Sequence, residues 1–423
     1  MEVILKRLFA VLLIGSMLLL SLNPITIYAS SRNKVPQDFY GALEQTDSKE
    51  AQVTATVEPK MDISSTAAVL LEGSTGTVIY DKNKDERLKP ASITKIMTML
   101  LIFEALDAGQ INLTDEVSVS EHAASMGGSQ VYLEPNETQT VDTMIKCISI
   151  ASANDACVAM AELISGSEEE FVAKMNQRAK ELGMTNTNFV NSCGLDVDNH
   201  YSSAYDVALM SKELITKHPE VSNYATVWMD TIIHTTKKGQ SEFGLTNTNK
   251  LVKFYSGITG LKTGSTGLAK YCLSATAKRG DMDLIAVIMA APDTKTRFAE
   301  ASKLLNYGFA NYSIYKDNAS DITLEPVKVK KGREDAVEGQ VGGEFSYLCT
   351  KGKTADMIRK EVVLSEELQA PIAQNDKIGE IVYYYDNEEI GRIDILASQA
   401  VDKAKLKDCL WKMMQKYFMK SAG

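Results

Sequence analysis

From Ile93 to Leu106 the chain is apolar on nearly every face that a helix would present. A surface helix carries one apolar stripe, so a helix apolar all round must be enclosed by other elements. That requirement dictates a sizeable core with this helix near its centre. Pro90, just upstream, has the fixed φ that suits a first helical turn. Two polar groups are set into this start, Ser92 and Lys95. Three residues apart on a helix, they share a face with Cβ atoms about 5–6 Å apart. A buried hydroxyl beside a buried ammonium is costly. Desolvation lowers a lysine pKa, and a neutral amine next to a hydroxyl acts as its base. The helix dipole favours negative charge developing on that hydroxyl. The pair therefore has the pattern of an activated nucleophile. The bland alternative is an N-cap serine followed by an ordinary lysine. Ser-x-x-Lys also occurs at Ser31 and Ser313, both in polar stretches, so the rest of the chain has to decide.

A length of 423 residues is enough for two or three domains, and 44% hydrophobic with 24% charged residues is an ordinary globular balance. The net charge of −10 argues against a nucleic-acid surface. Six cysteines (147, 157, 193, 272, 349, 409) form no CxxC pair, which excludes a zinc ribbon or a disulfide-dense scaffold. Cys157 and Cys272 follow polar clusters described below, and buried thiols behaving as small hydrophobes account for them. Four scattered histidines (122, 200, 218, 234) with no His-Glu-x-x-His give no sign of a catalytic metal.

Residues 1–29 read as a secretory signal. Lys6 and Arg7 precede the apolar run Leu8–Leu22, and Ile27-Tyr28-Ala29 ends in a small residue. Residues 30–60 are polar and aperiodic, as in a linker. Ala67–Leu71, the turn Glu72–Gly76 and Thr77–Tyr80 predict a β-hairpin leading into the Ser92 helix. Residues 109–140 are loop-rich. Val141–Leu163 is helical but interrupted around Ser149–Asp155, whose polar side chains compete with the helix backbone. Glu168–Leu182, closed by Gly183, and Tyr205–Lys217 predict two further helices. Thr226–Thr236 turns β-branched, Gly257–Gly264 is a short strand, and Lys270–Lys278 with Leu284–Ala290 forms a hairpin before the helix Thr294–Phe309. This order predicts an α+β domain over 61–312, an antiparallel sheet with packed helices and a helical lobe.

From about 316 to 397 short alternating segments predict a small all-β domain. Residues 398–423 predict a terminal amphipathic helix. Val401, Ala404, Leu410, Trp411, Met413, Met414, Tyr417 and Phe418 share one side, and six lysines outnumber two aspartates over 400–420. Such a helix lies well in an anionic membrane interface. A helix docked on the β domain is the other reading of the same pattern.

Three polar clusters recur in a fixed order: Ser92-x-x-Lys95, Ser152-Ala153-Asn154, and Lys262-Thr263-Gly264. They lie 60 and 110 residues apart, the first opening a buried helix, the second breaking a helical pair and the third ending a strand. This set is known from β-lactamases and penicillin-binding proteins. The chain resembles most closely the serine D-Ala-D-Ala carboxypeptidases, the low-molecular-mass penicillin-binding proteins. The resemblance extends through Ser149–Glu162, Asn191–Leu195, His200–Asp206, Gly260–Gly267 and Arg297–Phe309, over roughly 60–420. The family's C-terminal β domain and terminal amphipathic helix match the two segments read above.

The resemblance implies these roles. Ser92 attacks the carbonyl between two terminal D-alanines of a peptidoglycan stem pentapeptide, and Lys95 takes its proton. Ser152 relays a proton toward the leaving amine, and Lys262 helps to hold it. Asn154 binds the substrate backbone. Thr263 and Arg297 hold the terminal carboxylate, and the stretch Lys262-Thr263-Gly264-Ser265 lines the substrate. Backbone N–H groups of Ser92 and Ser265 form the oxyanion hole. β-Lactams would be covalent inhibitors, with no metal or organic cofactor, at the outer face of the cytoplasmic membrane. A homodimer is open. Two positions depart from the family pattern: Ser265 stands where histidine often follows Lys-Thr-Gly, and Thr248 replaces the arginine of Asn-Arg-Asn.

Three other functions compete. A serine β-lactamase needs a carboxylate for its deacylating water, and no Glu-x-x-Leu-Asn lies between Asn154 and Lys262. A DD-endopeptidase would use the same chemistry. A non-enzymatic envelope protein would leave the motif set without purpose. Gly352-Lys353-Thr354 lacks the glycine that a P-loop places five positions earlier, so no nucleotide site is expected.

Overall fold

The structure is a computed structural model and describes residues 61–350, 352 and 355–419. The expected signal segment 1–29 and linker 30–60 lie outside the described residues, as do Lys353 and Thr354.

Strand β1 (Ala67–Glu72) is apolar up to its final glutamate and buried throughout. Successive side chains of a strand point to opposite faces. A fully buried strand therefore needs a layer on each side of its sheet. Both layers are present. Ala67, Val69 and Leu71 join one core with the helical lobe, while Ala68 and Leu70 join another beneath the helix Thr294–Asn311. Strand β1 pairs with β2 (Val78–Lys82) across the expected turn. The buried Glu72 carboxylate holds that turn by accepting from Ser74 and Thr75.

Helix α1 (Lys95–Asp107) follows, preceded by a 3-10 turn over Ala91–Thr94. Ten of its thirteen residues are buried, as the all-round apolar pattern requires. The interrupted segment becomes α2 (Val141–Lys146), a π-type turn Cys147–Ala151, and α3 (Asn154–Ser165). Helices α4 (Glu168–Glu181) and α5 (Ala204–Lys217) start on Ser167 and Ser203, whose hydroxyls cap Glu170 N and Asp206 N.

Next comes the hairpin β3 (Met229–Thr236) and β4 (Gly239–Thr246); its second strand carries no apolar alternation that would have announced it. Strands β5 (Ile258–Thr266), β6 (Lys270–Arg279) and β7 (Met282–Ala291) complete an antiparallel sheet in the order β2-β1-β7-β6-β5. Helix α6 (Thr294–Asn311) packs on one face, with Leu304 and Leu305 buried, and α5 packs on the other. Strand β5, which carries Lys262-Thr263-Gly264, is thus an edge of the sheet.

Helix α6 runs into β8 (Tyr312–Asp317) with no linker, so the expected junction at 313–315 lies inside a strand. Strand β8 pairs with β9 (Phe345–Thr350), and β10 (Ile358–Leu364), β11 (Lys377–Tyr385) and β12 (Glu388–Ala397) form the main sheet of the β domain. Tyr383 stacks on Phe345 at 3.8 Å between centroids at its centre. Helix α7 spans Leu406–Met419, shorter than the expected 398–423, because Val401 first pairs with Ile372 along the β domain; Lys420–Gly423 lie outside the described residues.

Candidate active site

The 3-10 turn before α1 leaves Ser92 half-buried and Lys95 fully buried. Lys95 Nζ donates to Ser92 Oγ at 3.1 Å, to Asn154 Oδ1 at 2.7 Å and to the Cys193 carbonyl at 2.7 Å. Asn154 Oδ1 and the Cys193 carbonyl can only accept, so the remaining position of the amine faces the Ser92 hydroxyl. The long stem is enclosed by core side chains, so the head has one place to be. This is the only part of the chain, among the described residues, where a buried lysine touches a serine hydroxyl.

The Cys193 carbonyl is presented by a tight turn. Asn191 Oδ1 accepts from Gly194 N at 2.7 Å and Leu195 N at 3.1 Å. Gly194 has φ +89, and a Cβ there would lie 1.9 Å from the Ala91 carbonyl oxygen. The turn is pressed against the backbone of the nucleophile segment, and only glycine permits that approach.

Ser152 sits in the break between the π-type turn and α3, with φ 64 and ψ 34. A non-glycine residue in this region carries strain of about 1–3 kcal/mol and often marks a working site. Its hydroxyl is buried and has no hydrogen-bond partner. Two residues on, Asn154 accepts from Lys95 at Oδ1 and donates one amide N–H to the Gly127 carbonyl at 2.6 Å. Its backbone N–H bonds Ser129 O, and Asp155 accepts from Val131 N and Leu133 N. The Gly127–Leu133 loop is thereby tied to the start of α3. Burial pushes the Asp155 pKa up against the pull of these N–H groups.

Gly264 explains the third cluster. A Cβ on it would stand 2.9 Å from the backbone nitrogens of Ser92 and Ile93, so the strand abuts the nucleophile turn. Lys262 is buried, and burial, with Lys95 and Arg297 adding like charge, pushes its pKa well below the ordinary lysine range. Its Nζ reaches only the Thr263 carbonyl, at 3.2 Å. Thr263 Oγ1 donates to Thr248 Oγ1 at 2.7 Å, so the threonine at the departing position is wired to the strand. Ser265 is exposed. Arg297 is 7% exposed and donates through Nη1 to the carbonyls of Gly264 (3.0 Å) and Cys272 (3.2 Å). Its charge is fixed at the end of the edge strand.

Sequence reasoning missed a supporting layer. His200 Nδ1 accepts from Val190 N at 3.1 Å, so the ring proton resides on Nε2, which donates to Thr94 Oγ1 at 2.9 Å. Burial lowers its pKa to about 4. Thr98 donates to the Ser192 carbonyl, and Glu168 accepts from Ser192 N and Oγ. His200 lies in a stretch the family resemblance had marked, but nothing in its sequence pattern pairs it with Thr94.

Known proteins resemble the chain over both of its domains. The family model described as D-alanyl-D-alanine carboxypeptidase, Peptidase S11, matches residues 52–293, and that of the penicillin-binding protein 5 C-terminal domain matches 309–403. D-alanyl-D-alanine carboxypeptidase DacF of Bacillus subtilis is 48% identical over 338 residues, 80% of this chain and 86% of its own. Penicillin-binding protein 5 from Haemophilus influenzae is a solved structure with TM-score 0.70 and 32% identity, covering 82% of this chain and 100% of its own. Penicillin-binding protein D2 from Listeria monocytogenes, solved in an ampicillin-bound form, has TM-score 0.50 and 32% identity over 60% of this chain and 100% of its own. Matched in both its sheet-and-helix domain and its β domain, the chain belongs to the D-alanyl-D-alanine carboxypeptidase family and is a hydrolase of that activity.

Proposed function

We propose that the chain removes the terminal D-alanine of peptidoglycan stem pentapeptides through an acyl-enzyme on Ser92. The observation that carries this reading is the 3.1 Å contact between Lys95 Nζ and Ser92 Oγ. In the reaction Lys95 takes the hydroxyl proton as Oγ bonds to the carbonyl carbon. The C–N bond then breaks, and the leaving D-alanine amine receives a proton relayed by the Ser152 hydroxyl, whose missing partner leaves it free to turn. Water attacks the ester carbonyl, with its proton passing back through the same groups, and frees the shortened peptide.

Edge strand β5 supports the substrate side. An edge presents unpaired backbone groups, and an extended peptide adds to it as a further strand. The N–H groups of Ser92 and Ser265 would receive the oxyanion, each such donor being worth about 3–4 kcal/mol. The second amide N–H of Asn154 would meet the substrate backbone while Oδ1 keeps hold of Lys95. Thr263 and the Arg297 charge would receive the terminal carboxylate. β-Lactams would acylate the same serine. Lys262, whose pKa burial holds well below the ordinary lysine range, would position Ser152.

Export and attachment to the membrane surface belong to the same reading. Helix α7 shows Leu410, Trp411, Met413, Met414 and Tyr417 to solvent, while Lys412 bonds Asp335 and the Gly332 carbonyl. No helix among the described residues is long and apolar enough to cross a membrane. An exposed apolar face beside lysines suits a peripheral contact with anionic lipid.

The test is D-alanine release from a soluble peptide ending in D-Ala-D-Ala. Wild type should turn over, Ser92→Ala should not, and Lys95→Arg should lose roughly 10²–10⁴-fold, the worth of a positioned base. Lys95→Arg keeps the charge but cannot accept a proton. Near-normal turnover by Lys95→Arg would remove Lys95 from the proposed role.

A further inference from the structure

At the far end of α1 from Ser92, three side chains that the proposed chemistry does not use converge. Asp107 is the last residue of α1, and His218 and Glu220 flank Pro219 just after α5. Asp107 Oδ2 lies 3.1 Å and Glu220 Oε1 3.9 Å from His218 Nδ1. One donor atom from each of the three falls within 4.8 Å of the others.

The carboxylates are exposed, but His218 is 4% exposed, with its ring stacked 5.9 Å from that of Phe103. Its buried Nδ1 makes no hydrogen bond. The Asp107 oxygen is close enough for one, so it must stand off the ring-nitrogen axis. An acceptor that near and that misaligned is placed as two ligands of one cation are. Nitrogen and oxygen ligands each about 2.0–2.1 Å from a tetrahedral zinc ion stand roughly 3.4 Å apart. Rotation of the exposed Glu220 carboxylate closes the remaining gap.

We propose that Asp107, His218 and Glu220 bind a divalent transition-metal ion, with Zn²⁺ the fitting cation. One imidazole and two carboxylates suit such an ion better than Mg²⁺ or Ca²⁺, which take oxygen ligands. The site borders an open groove of about 580 Å³ lined by Phe103, Leu106, Asp107, Glu220 and Tyr224, which leaves room for water as a further ligand. Asp107 is twelve residues beyond Lys95 on one helix, about 18 Å away. The ion is therefore structural and takes no part in acyl transfer. It fastens the C-terminal end of the nucleophile helix to the bend after α5. The scattered histidines gave no hint of this, because a single histidine recruits two acids from separate elements.

The full exported chain, stripped with a chelator, is titrated with Zn²⁺ against a chromophoric competitor and separately with Co²⁺, read by its visible absorption. One saturable site is expected, unaffected by excess Mg²⁺. Even outer-shell changes cost about 10–100-fold in metal affinity, so Asp107→Asn and Glu220→Gln should each weaken binding by at least about tenfold. His218→Gln should abolish it, and the two surface variants should keep wild-type D-alanine release. Absence of saturable binding at micromolar Zn²⁺ overturns the proposal. So does equal binding by wild type and the double variant Asp107→Asn/Glu220→Gln, which would trace the metal to another group such as the exposed Cys409.

Discussion

The orientation of single side chains around Lys95 depends on groups far from it in sequence. His200 is the clearest case, because its neutral form is required at Nδ1. Protonating Nδ1 would take away the acceptor of Val190 N–H. Its pKa is about 4 in the folded chain against 6.5 for an ordinary histidine. The folded value is the lower one, so the stabilisation is complete above about pH 6.5 and is lost as pH falls toward about 4. At 1.36 kcal/mol per pKa unit the loss is about 3 kcal/mol. Denaturant unfolding from pH 7 to 4 should show this decline, and His200→Gln should flatten it. A wild-type stability flat through that window would contradict the neutral, buried assignment. Ser92, Lys95, Ser152, Asn154, Lys262 and Gly264 were all readable as motif positions. His200, Thr94 and the Cys193 carbonyl were not, because a backbone acceptor or a lone histidine has no pattern of its own.

At the scale of elements, local signals worked where one force dominated. The all-round apolar run gave α1, the apolar segments on either side of the Glu72–Gly76 turn gave the hairpin β1–β2, and polar residues in an apolar run gave the break at Ser152. Hairpin β3–β4 was half seen, since β4 is largely exposed and has no alternation to read. Helix α7 begins later than its amphipathic pattern, because Val401 is captured by the β domain. The turn at Asn191–Leu195 is the element most sensitive to change. Gly194→Ala would drive a methyl into the Ala91 carbonyl and also strain the left-handed backbone. It should cost at least about 1–3 kcal/mol, as overpacking does, and lower turnover more than KM by shifting the Cys193 carbonyl from Lys95. Thermal unfolding and steady-state kinetics check this; a variant with wild-type values in both would show that the turn does not position the site. Helix α7 has the opposite character. A chain ending at Ala397 should keep D-alanine release while losing sedimentation with anionic vesicles. Equal vesicle binding by the shortened and full chains would remove α7 as the anchor. In the full chain, salt should release part of the bound protein, because it screens the lysines and leaves the apolar contact intact.

Across the whole molecule, the three motif clusters come from a helix start, a helix break and a sheet edge. Packing, not sequence proximity, brings them together. Gly264 and Gly194 let two backbones close on the Ser92 turn from different elements. Lys95 is then bonded to groups from three parts of the chain. That convergence was inferable only from family resemblance, since spacings of 60 and 110 residues say nothing about contact. Helix α7 contributes no residue to this cluster, which is why its removal should spare the chemistry. The central claim is that the buried lysine makes Ser92, and no other residue, the nucleophile. It is tested most directly by mass spectrometry of proteolytic peptides after brief exposure of the full chain to penicillin. The account predicts one penicilloyl group on the peptide containing Ser92, absent in Ser92→Ala. An adduct on another serine, or one that persists in Ser92→Ala, would contradict it.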